Sequence, residues 1–201
     1  MESFGAIAQL GERNAGSVEV RGSIPLGSTK FKFKMNKSIS LIGMAGAGKS
    51  TLGKKLAKYL KFNFIDSDLL IEAEQKKSLQ EILAENGAQS FKDIEEKSLM
   101  SVKFNKTILA TGGSAIFSKS AMHYIGKQST LIFIQVTYED IVHRISDFSQ
   151  RGFIKKPKQS IKEAFLEREN MYKDYADFVV QNKSDIDHCF DRILEIVNQR
   201  L

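Results

Sequence analysis

The residues best suited to chemistry form a glycine-rich stretch at positions 43–50. The stretch reads GMAGAGKS and fits the pattern G-x-x-x-x-G-K-[S/T] without exception. Glycines in such a loop let the backbone bend so that its N–H groups converge on phosphate oxygens. The lysine reaches the β- and γ-phosphates, and the hydroxyl can ligate Mg²⁺. The stretch predicts binding of a nucleoside triphosphate with Mg²⁺ through Gly46, Ala47, Gly48, Lys49, Ser50 and Thr51.

Two carboxylates follow a short apolar segment about twenty residues later. They are Asp66 and Asp68, in the sequence FIDSD. Ligands of open α/β sheets bind beyond the carboxyl ends of the strands, so one carboxylate could face Mg²⁺ and the other an acceptor molecule. The alternative is that Asp68 only caps the helix that follows. Beside a phosphate-binding loop, the functional interpretation is favoured.

Two further regions carry residues of interest. Gly112 and Gly113 end an apolar segment, where paired glycines permit close approach of a ligand to the backbone but serve a tight turn equally well. Arg151 lies in a polar segment, and a cation on a mobile loop can close over a phosphate, although a solvated arginine is commoner. Arg168 considered alone would be a solvated helix residue.

These residues need a scaffold, and the hydrophobic pattern predicts one. Nearly continuous apolar runs alternate with helical spacing, which indicates a parallel sheet covered by helices on both faces. We therefore predict a single α/β domain, a three-layer α/β/α fold with a mostly five-stranded parallel sheet and a mobile lid at 147–158. The predicted strands are 38–43, 62–65, 107–111, 131–136 and 178–180. The predicted helices are 50–60, 69–74, one from Ser78 that Gly87 interrupts, 137–145, 160–175 and 185–199.

Composition excludes several other classes of protein. The 201 residues include 30 Lys and Arg against 24 Asp and Glu, and these basic residues are scattered, which argues against a nucleic-acid partner. No apolar run reaches the ~18 residues that a membrane span needs. The single cysteine, Cys189, excludes a disulfide framework and favours a reducing, cytoplasmic location. His123, His143 and His188 lack metal-ligand spacing.

The first 34 residues differ from the rest, and the simple interpretation is a disordered leader. A sharper hypothesis is that residues 5–30 resemble an in-frame translation of a bacterial tRNA gene. Residues 7–12 can be encoded by its D-arm consensus and residues 22–25 by its T-loop consensus, in one register. The start codon would then be placed too far upstream, and the folded domain would occupy 35–201. A native peptide spanning residues 5–21, found by mass analysis, would contradict this hypothesis.

Taken in order, the motifs resemble the shikimate kinase family, within the group of P-loop kinases similar to nucleoside monophosphate kinases. The resemblance covers essentially residues 35–201. It rests on GMAGAGKS, FIDSD, FKDIEE, ILATGG, an arginine-bearing lid and the pattern R-x-x-x-Y-x-x-x-A-D at 168–177. It implies an ATP-dependent kinase that phosphorylates a hydroxyl of shikimate, giving shikimate 3-phosphate and ADP in the route to aromatic amino acids. Its partners would be small molecules, and we expect a monomer.

The resemblance also implies a role for each matching residue. On the nucleotide side, Asp66 would help to hold Mg²⁺ through water, Arg144 would flank the adenine, and the lid residue Arg151 would stabilise charge on the transferring group together with Lys49. On the acceptor side, Asp68 would bind the acceptor hydroxyls and accept the proton of the attacking one. The remaining acceptor residues would be Gly112 and Gly113 through backbone N–H groups, Arg168 through the acceptor carboxylate, and Glu95 by orienting the basic residues.

Three positions depart from the family pattern. Lys92 stands where the family has an arginine, and Ser114 stands where the family has a third glycine after Gly112 and Gly113. The lid reads RGFI at 151–154 instead of RPLL. Lysine cannot reproduce the bidentate fork that arginine offers a carboxylate. Shikimate bound by Arg168 and Lys92 is thus one expectation, and another small polyol or hydroxy acid is the alternative. A non-catalytic nucleotide-binding regulator is a rival that the retained Lys49, Ser50, Asp66 and Asp68 argue against.

Overall fold

Five strands form one parallel sheet in a computed structural model that describes residues 38–145, 155–183 and 185–199. The strands are β1 (Ile39–Ile42), β2 (Asn63–Asp66), β3 (Thr107–Ala110), β4 (Thr130–Gln135) and β5 (Phe178–Gln181). Their order in the sheet is β2-β3-β1-β4-β5, and every pair is parallel. The predicted α/β class and the five-stranded parallel sheet are confirmed. Arg151, most of the lid and the first 34 residues lie outside the described residues.

Seven α-helices cover the two faces of the sheet within the described ranges. They are α1 (Lys49–Leu60), α2 (Ser67–Gln75), α3 (Leu79–Ser101), α4 (Lys119–Gln128), α5 (Tyr138–Arg144), α6 (Ile161–Tyr175) and α7 (Ile186–Asn198), with a 3₁₀ turn at Ala115–Phe117. None of these helices is both long and apolar enough to cross a membrane.

Local sequence signals explain where most of these elements begin and end. Ser78 and Ser160 start α3 and α6 with reciprocal capping boxes, since each serine hydroxyl accepts an N–H bond from a glutamate three residues later. Gly87, with φ 74° and ψ 171°, breaks the α3 helix as predicted. The α4 helix was not predicted, although Ala121, Met122 and Ile125 have helical spacing and form its buried face.

Strand order determines where functional residues meet. β1 lies at the centre of the sheet, with β3 on one side and β4 on the other, and its four residues are fully buried. The crossover after β1 leads to β2 on one side of the sheet and the crossover after β4 leads to β5 on the other, and these opposite directions open a crevice at the carboxyl ends of β1 and β4. The segments that follow β1, β2 and β3 therefore converge at one edge of the sheet.

Candidate active site

The glycine-rich stretch forms a tight loop between β1 and α1. Gly43, Gly46 and Gly48 all have positive φ, of 145°, 77° and 95°. A Cβ on Gly43 would lie 2.7 Å from the carbonyl oxygen of Ile134, so the loop passes β4 at a distance that only glycine allows. The helix α1 begins at Lys49 and directs its N-terminal end toward the loop. The predicted strand–loop–helix context of the motif is confirmed.

Lys49 is held against this loop. Its side chain is 7% exposed, and its ammonium donates hydrogen bonds to the carbonyl oxygens of Gly43 (2.8 Å) and Met44 (2.7 Å). A buried ammonium needs such partners, because burial without them is costly. The charge is thus fixed at the mouth of the loop, where the β- and γ-phosphates of a nucleotide would lie.

The far side of the loop is tied to the end of β5 by Asn182. The Asn182 side-chain amide donates to the carbonyl oxygen of Ala47 at 2.9 Å, and its backbone carbonyl accepts from Arg144 at 3.3 Å. Asn182 is buried, and a Cβ on Gly48 would lie 2.9 Å from its amide nitrogen. Asn182 thereby links the loop to Arg144, the residue expected to flank the adenine. No sequence pattern marks Asn182 as functional, since an isolated asparagine after a strand is typical of any turn.

Ser50 and Asp66 meet where α1 faces the end of β2. The Ser50 hydroxyl donates to Asp66 Oδ2 at 2.6 Å, and Asp66 Oδ1 accepts from the backbone N–H of Asp68 at 3.1 Å. Asp66 is therefore the N-cap of α2. The alternative interpretation that Asp68 is the cap is wrong, because α2 begins at Ser67 and Asp68 already lies in its first turn.

This pair fits Mg²⁺. A hydroxyl and a carboxylate are hard oxygen ligands, and Mg²⁺ is usually bound by one or two such groups plus substrate phosphates and water. The described residues contain no group of three or more His, Cys, Asp and Glu side chains that could hold a metal without such help. Ser50 and Asp66 therefore suit a metal ion that arrives bound to a nucleotide, not one that the protein holds by itself.

Asp68 and Glu95 converge on Gly112, the first residue after Thr111 at the end of β3. A Cβ placed on Gly112 would lie 2.5 Å from Asp68 Oδ1 and closer still to Glu95 Oε1. The N–H of Gly112 donates to the Ser67 hydroxyl at 2.7 Å. The prediction that this N–H serves an acceptor therefore needs correction: the contribution of Gly112 is the space that its missing side chain leaves for two carboxylates.

Gly112→Ala is expected to lower kcat/KM at least about 100-fold while the protein stays folded. The methyl group would displace both carboxylates, and a shift of about 1 Å in a catalytic group costs that much. The clashing atoms are the ends of side chains, which can rotate away, so the free energy of unfolding should change little. Gly126→Ala, in α4, is the matched control, because its Cβ would make an ordinary 3.4 Å contact with Leu131. Equal activity in both variants would contradict this account.

Glu95 is a buried acid with several charged neighbours. It is 3% exposed and accepts a hydrogen bond from Ser114 Oγ at 2.8 Å. Burial raises the pKa of Glu95 to about 7 despite the Ser114 hydrogen bond; Asp68 raises the pKa further, and Arg168 and Lys49 lower it. The carboxyl group is thus poised to change its charge near neutral pH.

This raised pKa predicts a pH-dependent loss of stability. The protonated form favours folding below the ordinary pKa of 4.5, and this contribution is lost as pH rises toward about 7. Glu95→Gln, which stays neutral, should therefore be more stable than the parent by about 3 kcal/mol at pH 8 and nearly equal to it at pH 4.5. Urea unfolding at both pH values tests this, with Glu74→Gln, an exposed residue of α2, as control. Parallel stability curves for the parent and Glu95→Gln would contradict it.

Arg168 and Tyr172 reach the same site from α6. Both are buried; the Tyr172 hydroxyl donates to the carbonyl oxygen of Gly113 at 2.6 Å, and Arg168 Nη1 lies 3.5 Å from that oxygen. Tyr172 stacks on Phe133 of β4 with ring centroids 5.0 Å apart. Burial lowers the pKa of Arg168, and Glu95 counteracts part of that effect. The interpretation of Arg168 as a solvated residue is therefore wrong.

Phe117 brings the two basic residues of the acceptor side together. Lys92 Nζ lies 4.9 Å and Arg168 Cζ 5.1 Å from the centroid of its ring. Such cation–π contacts restrict both side chains. The structure thus places Lys92 and Arg168 around one ring, as the prediction of a shared carboxylate site requires. Phe117 itself was missed, since one aromatic residue after a strand carries no functional signal.

The two halves of the site touch each other. A Cβ on Gly113 would lie 3.2 Å from the backbone nitrogen of Ala45, so the segment after β3 packs against the glycine-rich loop. One half offers backbone N–H groups, Lys49 and oxygen ligands. The other half offers paired carboxylates and two cations. The arrangement suits transfer of a phosphoryl group from a nucleotide to a small, anionic, hydroxylated molecule.

Comparison with known proteins gives concordant results. A family model described as shikimate kinase matches residues 45–198. The shikimate kinase of Clostridium botulinum (strain Eklund 17B / Type B) is 35% identical over 164 residues, which cover 81% of this chain and 98% of that protein. The structure of Acinetobacter baumannii shikimate kinase in complex with shikimate has a TM-score of 0.73 at 25% identity, covering 83% of this chain and 96% of the other. Aquifex aeolicus shikimate kinase has a TM-score of 0.70 at 29% identity, covering 80% and 96%.

Proposed function

Because the chain belongs to the shikimate kinase family, we propose how its residues divide the transfer of a phosphoryl group from ATP to shikimate. The enzyme is a phosphotransferase with a hydroxyl acceptor, and its products are shikimate 3-phosphate and ADP. The observation that carries the division is the contact between the Gly113 segment and Ala45. It supports a γ-phosphate and an acceptor hydroxyl that lie side by side.

The nucleotide half holds the triphosphate of ATP. Backbone N–H groups of residues 46–51 and the N-terminal end of α1 surround the phosphates, and Lys49 contributes the fixed positive charge. Arg144, which donates to the Asn182 carbonyl, flanks the adenine. Arg151, which lies outside the described residues, stabilises negative charge on the transferring group.

Ser50 and Asp66 are the residues that would hold Mg²⁺. Ser50 would bind it directly, and Asp66 would bind it through water. When bound, the metal neutralises charge on the β- and γ-phosphates. The 2.6 Å Ser50–Asp66 hydrogen bond supports this pair as one unit, since it already holds the two oxygens next to each other.

The acceptor half binds shikimate by its carboxylate and its hydroxyls. Arg168 and Lys92, which both contact the ring of Phe117, pair with the carboxylate. Asp68 accepts hydrogen bonds from the ring hydroxyls, and Gly113 lines the pocket with backbone. Glu95 keeps the basic side chains in position through its charge.

Transfer is an in-line displacement at the γ-phosphorus. The acceptor oxygen forms a new bond to phosphorus while the bond to the β–γ bridging oxygen breaks and ADP leaves. Asp68 takes the proton of the attacking hydroxyl. Most of the acceleration comes from positioning and from the charges of Lys49 and Arg151, because phosphoryl transfer needs little covalent help from protein groups.

A coupled assay of ADP release with shikimate and MgATP tests the proposal. Turnover on shikimate is the expected result. ATP binding with turnover only on another small polyol or hydroxy acid would select the alternative acceptor, for which Lys92 is the reason. ATP binding without turnover on any acceptor would favour a nucleotide-binding regulator.

We also propose a monomeric, cytoplasmic enzyme whose partners are small molecules rather than nucleic acid or membrane. The lone cysteine supports the cytoplasmic location, and the scattered basic residues argue against a nucleic-acid partner. Sedimentation of the purified protein at micromolar concentration checks the monomer.

A further inference from the structure

Ser114 stands where the family pattern has a glycine, and the structure gives its side chain a specific partner. The Ser114 hydroxyl donates to Glu95 Oε2 at 2.8 Å, and both residues are buried, at 7% and 3% exposure. A hydrogen bond from a hydroxyl to a buried carboxylate is among the stronger ones in proteins. The substitution therefore adds a contact instead of merely filling space.

The hydroxyl of Ser114 does not cap the helical turn that follows, which is the ordinary role of a serine at such a position. Ser114 precedes the 3₁₀ turn Ala115–Phe117 and occupies its N-cap, but its side chain makes no capping hydrogen bond. The hydroxyl is directed across to α3 instead. The contact thus joins the segment after β3 to the helix that carries both Glu95 and Lys92.

The charges around Glu95 explain why a neutral donor matters. Asp68 from α2 repels its carboxylate, whereas Arg168 from α6 and Lys49 from α1 attract it. Ser114 donates a hydrogen bond without adding charge, so it favours the ionised carboxylate and leaves both cations to the substrates. Glu95 and Arg168 interact electrostatically in turn, since Glu95 supports the charged form of Arg168.

We propose that Ser114 is a positioning residue of the acceptor site, whose hydroxyl holds the Glu95 carboxylate in the orientation and charge state that Arg168 needs to bind the acceptor carboxylate. Its kinetic consequence rests on the proposed function. Its effect on the carboxylate of Glu95 does not rest on that function. The experiments can therefore distinguish a failure of this proposal from a failure of the proposed function.

The kinetic test compares Ser114→Ala with Ser114→Thr. Loss of the hydroxyl should raise KM for shikimate about five- to tenfold with kcat within about twofold, which corresponds to the net contribution of one typical hydrogen bond. The acidic limb of kcat/KM should move to higher pH, because Glu95 would ionise less readily. Ser114→Thr, which keeps the hydroxyl, should restore both values.

Ser98→Ala is the matched control. Ser98 lies in the same helix as Glu95 and is equally buried, but its hydroxyl has no hydrogen-bond partner among the described residues. Its removal should leave KM and the pH profile unchanged. A shift of the same size in Ser98→Ala would overturn the proposal, since any buried serine would then have the effect.

Urea unfolding supplies a test without substrate. Ser114→Ala should lower the unfolding midpoint more at pH 8, where Glu95 is ionised, than at pH 5. An equal loss at both values together with an unchanged KM would reduce Ser114 to a packing residue and overturn the proposal. A different outcome is that Ser114→Ala shows the expected pH-dependent loss of stability while the parent protein does not phosphorylate shikimate. That result would leave the role of Ser114 toward Glu95 intact and overturn the proposed function alone.

Discussion

Lys49→Ala is expected to lower kcat by about a thousandfold. The ammonium is the one fixed positive charge that the described part of the phosphate loop carries, and removing a group that stabilises developing charge commonly costs this much. The variant also loses the two hydrogen bonds to Gly43 and Met44, so the loop should become less ordered. Coupled ADP release under saturating shikimate and MgATP measures the effect.

Two further measurements make the result specific to Lys49. Lys54→Ala removes an exposed lysine of the same helix and should leave kcat unchanged. Binding of a fluorescent ATP analogue should weaken in Lys49→Ala by far less than kcat falls, because the backbone N–H groups remain. Retention of a tenth or more of the parent kcat would show that Lys49 does not act on the transferring phosphate.

Asp68→Asn should lower kcat by about 10²- to 10⁴-fold, the usual range for loss of a general base. The amide is nearly isosteric, so the space beside Gly112 remains filled and shikimate should still bind. Asp191→Asn, an exposed position on α7, is the control. A KM that rises while kcat stays within a few-fold of the parent would make Asp68 a binding residue and leave the proton to water.

Asp68→Asn has a second expected consequence that does not involve turnover. Because Asp68 repels the carboxylate of Glu95, the pKa of Glu95 should fall when that charge is removed. The decline in stability between pH 4.5 and pH 8 should then be smaller than in the parent. Urea unfolding at the two pH values measures the difference, and an unchanged decline would mean that the two carboxylates do not interact.

Local patterns accounted for the nucleotide half of the site. The motif at 43–50, the apolar strands and the two capping boxes each depend on residues a few positions apart, and the structure has all of them. The resemblance to a family added Arg168, whose burial depends on how α6 packs against Phe117 and Gly113 and cannot be deduced from its neighbours in sequence.

The contacts that join distant segments could not be predicted. Ala47 and Asn182 are 135 positions apart, and Ser114 and Glu95 are 19 apart on different elements. No periodicity or turn signal connects such pairs, because each depends on the order of the strands in the sheet. That order places β3 beside β1 and β5 beside β4. The same reasoning applies to Gly112. Its predicted role was that of a backbone N–H donor, whereas in the structure two carboxylates occupy the space that a side chain would fill.

The link between Asn182 and the glycine-rich loop bears on the order in which the protein folds. The Asn182–Ala47 hydrogen bond joins residues 135 positions apart, whereas the paired residues of the sheet are 44 to 91 positions apart, so this bond closes a longer loop than any strand pairing and carries a greater entropic cost. Its formation requires β5, the last strand of the chain, which pairs only with β4 in the described sheet. Until it docks, the carbonyl of Ala47 lacks its partner and the loop lacks a wall. During refolding, affinity for nucleotide should therefore develop with the final, slowest contacts, after the central strands have already paired.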